Sequence, residues 1–361
     1  MSGSEKPDIR SLSADELKSF FLENGEKPFR SAQISEWLWK KNSPSLGEMS
    51  NVPKSLRDLL SASFTYHKAV PHTIRSGSDG TVKILFRLHD DSMVEGVLIP
   101  SGKRFTACVS SQVGCALSCS FCATGMLGFT RNLEPGEIYD QAAILDQMAM
   151  ERNGSESGLS NIVYMGMGEP LLNYPNVKRS VEMLVSADGM GVSPQRITIS
   201  SLGIPKMIRK LADDRINCHF ALSLHSASEE KRNRLAPYTL NHPLVELKEA
   251  LRYYHSETGK RFTIEYILFR DVNDSLYDAA ELAKFCRNFP VKVNLLEYNV
   301  VEGSGLSRSS RERTQAFAGF LESKNMVVNI RKSRGREIEA ACGQLAGSHA
   351  AGIDQAGLQN K

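Results

Sequence analysis

Cys115-Ala-Leu-Ser-Cys119-Ser-Phe-Cys122 places three thiols at a three-then-two spacing, with Gly125 and Gly128 just behind. Cysteine thiolate is a soft anionic ligand that favours iron or zinc, and this spacing lets one short loop wrap one centre. Three ligands leave a coordination position open. On zinc the vacancy suits a water or a substrate; on a four-iron cluster it leaves one iron free for an exogenous ligand. Cys108, seven residues upstream, keeps a closed four-thiolate structural site open as well.

Downstream of this loop, helical and strand-like patterns alternate. Helices are predicted over 134–150, 177–187, 204–212, 244–256, 275–286 and 311–323, and strands over 161–164, 196–200, 218–224, 261–268, 292–295 and 327–331. Such alternation implies an α/β fold with parallel strands and outer helices. A partial or complete (βα) barrel fits better than a dinucleotide sheet, because no Gly-x-Gly-x-x-Gly opens a unit. Functional loops then gather at the C-terminal ends of the strands.

Upstream, residues 1–70 read as a small module of three short helices, with Ser13 and Glu16 in capping-box register. Its cations Lys27, Arg30, Lys40, Lys41, Lys54 and Arg57 either touch phosphate or solvate outer faces. Residues 71–100 change to a period of two, a hairpin leading to a third strand, Phe105–Ser110, that delivers the cysteine loop. Glu95 lies inside that apolar pattern, on a solvated strand face or in a cavity. Residues 101–346 form the main unit, and 347–361 are a small, polar, frayed tail.

The 361-residue chain is 41% hydrophobic and 24% charged, values of a folded protein with room for one large core. A net charge of +3 permits a nucleic-acid partner without requiring one. No apolar signal segment opens it, and no run approaches the roughly 18 residues of a membrane span. A reducing cytoplasm, where thiols stay free for metal or chemistry, follows as the expected location.

Two further stretches carry chemistry. Gly166-Met-Gly168-Glu169 follows a predicted strand; glycines there admit close backbone approach, and the carboxylate suits an ammonium, unless this is a plain turn with a surface Glu. Cys342 follows the basic run Arg331–Arg336 and precedes Gly343, an exposed loop that suits a thiolate. Cys218 and Cys286 sit in apolar patterns as ordinary core cysteines. Ser200, Ser223, His225 and Asn299 recur at strand ends, where several polar groups on one barrel face suggest a polar ligand; His225 equally suits a structural role.

The three-cysteine pattern with an aromatic before the last thiol resembles the signature of the radical S-adenosylmethionine (SAM) enzymes. The longer runs CVSSQVGCALSCSFCATGMLGFTRNL (108–133), MGMGEPLLN (165–173) and KPFRSAQISEWLW (27–39) resemble a narrower family, the dual-specificity methyltransferases of 23S rRNA and tRNA. The resemblance spans about residues 27–347.

It implies a radical-SAM barrel in which Cys115, Cys119 and Cys122 hold a 4Fe-4S cluster whose open iron takes the methionine end of SAM. Gly168 and Glu169 then bind the SAM amino group, and Ser200, Ser223, His225 and Asn299 contact SAM. The same resemblance makes Cys342 a methyl carrier, Cys108 the second catalytic thiol and Glu95 the proton acceptor. It also implies a 5′-deoxyadenosyl radical, an electron donor such as flavodoxin or ferredoxin, RNA docking by the N-terminal helices and a monomer. Arg131, Arg308, Arg311, Arg334 and Arg336 are the candidate phosphate contacts.

The chemistry is consistent with this division of labour. Carbon 2 of adenine is electron-poor, so it resists direct attack on the SAM methyl, whereas a thiolate takes that methyl readily. Departures from the family pattern at Leu235–His242, Ser200–Leu202 and Leu296–Val300 lie near the ligand face and bear on RNA selectivity. A sister group sharing both thiols methylates adenine carbon 8. The same residues also suit a radical-SAM enzyme with a different substrate, or a zinc-stabilised RNA-binding protein without catalysis.

Overall fold

Apolar spacing and caps set the first elements. In the computed structural model, which describes residues 6–154 and 158–346, α1 (Ala14–Glu23) opens on the expected reciprocal cap. The Ser13 amide donates to Glu16 at 2.7 Å and the Glu16 amide to Ser13 Oγ at 3.2 Å. Next come α2 (Phe29–Ser35), a π-type turn at Glu36–Lys40 and α3 (Lys54–Ser63). Leu17, Phe21, Ile34, Leu38, Trp39, Leu56 and Leu60 point inward together as the core of this module.

A chain of parallel strands follows an antiparallel meander. The meander is β1 (Val70–Ser76), β2 (Val82–Arg87), β3 (Met93–Ser101) and β4 (Arg104–Cys108). The cysteine loop and the short α4 (Ala123–Met126) lie between β5 (Gln112–Gly114) and β6 (Phe129–Asn132), a two-stranded clip. Then α5 (Pro135–Arg152), β7 (Asn161–Tyr164), α6 (Tyr174–Val185), β8 (Ile197–Ser201), α7 (Pro205–Asp213) and β9 (His219–Ser223) alternate. After α8 (Glu229–Leu235) and α9 (Leu244–Thr258) come β10 (Phe262–Leu268), α10 (Leu276–Cys286), β11 (Val291–Glu297), α11 (Arg311–Ser323) and β12 (Val327–Arg331).

The sheet order is β1-β2-β3-β4-β7-β8-β9-β10-β11-β12, with every pair from β4 to β12 parallel. Among the described residues no ladder joins β12 to β1, so the barrel is the partial of the two expected forms. Residues 335–346 tie β12 back to the meander instead. The Gly335 amide donates to Asp79 at 3.0 Å, Lys83 Nζ to the Glu339 carbonyl at 3.2 Å, and the Ala346 amide to Glu95 at 2.9 Å. The polar tail expected over 347–361 lies outside the described residues.

The helical module is keyed to the barrel by buried charge. Asp140 on α5 accepts from Arg10 at 2.8 and 3.1 Å, from Lys68 at 2.9 Å and from the Ala69 amide at 2.9 Å. Removing one partner of such a network strands the rest without water. Asp140→Ala is therefore expected to destabilise the chain by about 3–5 kcal/mol in urea unfolding; a loss below about 1 kcal/mol, the surface-pair range, would contradict this.

At the same junction His67 and His89 stack with centroids 3.6 Å apart and planes 5° from parallel. Their Nδ1 atoms meet Glu134 at 2.9 Å and Glu137 at 3.1 Å. His67, His89 and Glu134 offer ligand atoms all within 4.8 Å of one another. Imidazole donates to a metal in its ring plane, however, and two parallel stacked planes share no point for an ion. The pair is a hydrogen-bonded latch between module and barrel.

Candidate active site

One cavity opens at the C-terminal ends of the parallel strands. Its wall includes Cys115, Cys119, Cys122, Gly166, Gly168, Glu169, Ser200, Ser223, His225, Glu265, Arg331 and Cys342. Sequence positions 115 and 342 thus meet in one space.

The cysteine loop is held by backbone bonds. The Cys115 amide donates to the Gly128 carbonyl at 2.7 Å and the Ser120 amide to the Leu235 carbonyl at 2.9 Å. Gly114 has φ +72°, and a Cβ there would collide with the Gly128 carbonyl. Leu117, Phe121, Leu202 and Ile267 make the surroundings of Cys115 and Cys119 apolar. Burial pushes the Cys115 thiol up to about 12 and the Cys119 thiol well above its usual range. Free, these thiols stay protonated; bound to a metal they lose the proton outright.

The arrangement fits a cluster better than a single ion. Among the described residues the three cysteines do not form a group with all sulfurs within 4.8 Å of one another. Tetrahedral zinc, with Zn–S bonds of about 2.3 Å, requires sulfurs under about 4 Å apart. No disulfide ties up any of the three.

Glu169 is 2% exposed, and its two oxygens accept from the Leu171 and Leu202 amides at 3.0 and 2.9 Å. Its own amide donates to Gln112 Oε1 at 2.8 Å. Gly168, at φ +95°, lies so close that an added Cβ would come within 2.5 Å of Gln112 Cβ. Burial raises the Glu169 pKa to about 7 against the pull of those amides. The carboxylate is thereby aimed and, among the described residues, has no counter-ion, as an ammonium site requires.

A raised folded-state value means stability present below pH 4.5 and lost as pH rises through about 7. Between those values, wild-type chain without ligands should lose up to roughly 3 kcal/mol relative to Glu169→Gln in urea unfolding. Parallel pH curves for the two chains would contradict it.

The expected SAM-contacting positions divide. Ser200 and Ser223 share a 3.2 Å hydroxyl contact on the cavity wall. The Ile267 amide donates to His225 Nδ1 at 3.2 Å, which leaves the proton on Nε2 as a donor. Burial lowers the His225 pKa to about 3, so the ring is neutral. Asn299 is not part of the cavity lining. It donates to the Cys342 carbonyl at 3.2 Å and accepts from Arg336 at 3.1 Å, tethering the loop that carries Cys342.

That loop is also held by the Ala123 amide on the Gly343 carbonyl at 2.7 Å and Thr124 Oγ1 on the Leu345 carbonyl at 2.6 Å. Cys342 is an exposed residue of the loop, while desolvation of its thiol by the surrounding protein raises its pKa against the opposing field of Arg331. Cys108, at the end of β4, is buried and pushed up to about 12; the field of Cys342 adds to that shift, which places the two sulfurs in electrostatic reach. Glu95 is buried and ion-paired to Lys83 at 3.1 Å, and it too lies outside the cavity lining.

Sequence reasoning missed Glu265 as a site residue and gave Arg331 only to phosphate. Glu265, inside the apolar β10, accepts from Asn294 at 2.8 Å, and burial raises its pKa. A carboxylate within an apolar strand was the available signal, as at Glu95. Arg131 is a correction: its guanidinium is consumed by Asp90 at 2.7 and 2.9 Å and Glu137 at 2.8 and 2.9 Å, leaving no fork for phosphate. Arg336 is bonded to Glu297 and Asn299, whereas Arg311 and Arg334 are exposed.

Comparison with known proteins agrees with this geometry. Residues 109–283 match the model of the radical SAM superfamily, and residues 8–65 that of the ribosomal RNA large subunit methyltransferase N-terminal domain. A probable dual-specificity RNA methyltransferase RlmN of Flavobacterium psychrophilum is 48% identical over 342 residues, covering 95% of this chain and 98% of its own. A dual-specificity RNA methyltransferase RlmN of Anaeromyxobacter sp. is 41% identical, covering 94% of this chain and 91% of its own. The crystal structure of a radical SAM methyltransferase from Sphaerobacter thermophilus superposes with a TM-score of 0.87 at 38% identity, covering 94% of this chain and 99% of that one. Matching relatives over nearly its whole length, with the three thiols, the Gly168–Glu169 turn and Cys342 around one cavity, the chain belongs to the dual-specificity RNA methyltransferase RlmN family of radical SAM enzymes.

Proposed function

We propose that the chain methylates carbon 2 of an adenine in 23S rRNA and in tRNA, with Cys342 carrying the methyl group between SAM and the base. The observation that carries this reading is the meeting of Cys342 with Cys115, Cys119, Cys122 and Glu169 in one cavity. A 4Fe-4S cluster on the three cysteines supplies, when bound, the electron that cleaves SAM to a 5′-deoxyadenosyl radical. Everything else is done by side chains of this chain.

Glu169 aims the SAM amino group, and Ser200, Ser223 and His225 Nε2–H offer hydrogen bonds along the same wall. Arg331 favours the Cys342 thiolate, which takes the methyl from one SAM. The 5′-deoxyadenosyl radical takes a hydrogen atom from that methyl and becomes 5′-deoxyadenosine. The carbon radical adds to C2 of adenine, and the adduct radical gives up one electron, which the cluster when bound would accept, to leave an S–CH2–C2 bridge. Glu95 accepts the ring proton after releasing Ala346, which it holds at 2.9 Å here. The Cys108 thiolate then attacks the Cys342 sulfur. An S–S bond forms, the S–CH2 bond breaks with its electron pair going to carbon, and that carbon gains a proton.

Such a disulfide is transient in a reducing cytoplasm, the compartment that the free cysteines suit. No helix among the described residues is long and apolar enough to cross a membrane. The N-terminal helices dock RNA by phosphate contacts, the chain acts as a monomer, and a flavodoxin- or ferredoxin-type protein delivers the electron. Anaerobic reaction with methyl-labelled SAM and unmodified 23S rRNA or tRNA tests the reading. Label on adenine carbon 2 supports it; label on carbon 8, or none on RNA, overturns it.

A further inference from the structure

Arg232, in the middle of α8, is 1% exposed. Its Nη2 donates to the Leu202 carbonyl at 2.6 Å and its Nη1 to the His242 carbonyl at 3.4 Å, while Nε has no partner. Among the described residues no carboxylate lies within ion-pair distance of it. Glu229, one turn earlier, is exposed, and its carboxylate accepts from the Leu244 amide at 2.9 Å. A guanidinium cannot shed its proton as a buried lysine does, so it stays a full charge held by two carbonyl dipoles and by the field of Glu229, whose carboxylate lies beyond ion-pair distance. Such a charge is costly unless something negative completes it.

The fold points to the missing anion. Leu235, at the end of the same helix, accepts at its carbonyl from the Ser120 amide and hydroxyl at 2.9 and 3.1 Å. Ser120 follows Cys119 in the cysteine loop. Leu202, which takes the Arg232 hydrogen bond, packs in one apolar cluster with Cys115, Cys119 and Leu235. The arginine therefore stands behind the loop, across an apolar layer that screens little.

We propose that Arg232 is the buried counter-ion of the thiolate-bound cluster and raises its reduction potential, which eases electron uptake from the donor. The inference rests on the reading of Cys115, Cys119 and Cys122 as cluster ligands. Neutral groups in place of the guanidinium leave the reduced, more negative cluster less stabilised, so its potential falls. In the metal-free chain the same charge has no direct ion pair among the described residues, so Arg232 contributes more after loading than before.

The test uses the full chain as wild type, Arg232→Gln and Arg232→Lys, each metal-free and with its cluster reconstituted anaerobically. Iron and sulfide analysis comes first: a wild type that takes up no cluster sinks the reading of the cysteines. Given loaded protein, potentiometric titration followed by electron paramagnetic resonance, without RNA, should place Arg232→Gln at lower potential than wild type, with Arg232→Lys between. The rise in melting temperature on cluster loading should be smaller for Arg232→Gln than for wild type. Equal potentials, equal gains on loading, or an Arg232→Gln chain that fails to fold without metal would each assign Arg232 to its carbonyl bonds alone and overturn the proposal.

Discussion

A Cys108→Ala chain, incubated anaerobically with SAM, a reductant and unmodified tRNA, is expected to end the reaction covalently joined to its RNA. The S–CH2–C2 bridge is a thioether, which water does not open. Its release needs a thiolate that can attack the Cys342 sulfur; Cys108 and Cys122 are both in electrostatic reach of it, and Cys122 is read as a cluster ligand, which leaves Cys108. Burial raises its pKa in the resting protein, so it must lose its proton before it can attack. Gel shift under denaturing conditions shows the adduct. Cys342→Ala is expected to give neither adduct nor methylated RNA, because it removes the atom proposed to carry the methyl. Groups acting in sequence on one bond are not additive, so each variant falls by about 10³-fold or more in turnover. Multiple turnovers by Cys108→Ala at a rate near wild type would remove this thiol from the mechanism.

The second large effect concerns the loop itself. Cys119→Ala is expected to leave the anaerobically reconstituted chain with little bound iron, against about four per chain in wild type, and without formation of 5′-deoxyadenosine. With two thiolates left, the cluster loses a ligand it has no means of replacing, because Cys108 and Cys342 sit on other elements with other partners. Cys218 and Cys286, packed in the main apolar core, serve as controls: alanine at either keeps the iron. Iron retention by Cys119→Ala, or one zinc per chain in wild type, would return the closed structural site to consideration.

Much of the fold could be read in advance because its elements announce themselves locally. β7, α11 and β12 match their expected bounds residue for residue, each being a run of uniform periodicity between clear turns. β1 was not expected, because Pro71 interrupts it and its residues are mostly exposed, which erases the apolar alternation. β5 and β6 are too short to show a period, and α8 is polar on most of its surface. Whether the barrel closes depends on pairing between β12 and β1, a long-range property absent from any window of sequence.

The site divides in the same way. The cysteine loop and Gly168–Glu169 are local motifs whose spacing carries their chemistry. That Cys342 reaches the loop is set by contacts such as Ala123 to Gly343, which no spacing reveals. Glu95 and Asn299 lie off the cavity because the C-terminal segment occupies them, Glu95 through Ala346 and Asn299 through the Cys342 carbonyl. Arg131 looked free only because Asp90 and Glu137 are distant in sequence or hidden in a helix start.

The mechanism stands on Cys342 being the first acceptor of the methyl group. Cluster-loaded wild-type chain should be incubated with methyl-labelled SAM in the absence of RNA, digested, and the peptide carrying Cys342 analysed by mass spectrometry. One labelled methyl on the Cys342 sulfur, chased into RNA when RNA is added with reductant, is the predicted result. Labelled RNA formed while Cys342 never carries label would contradict it.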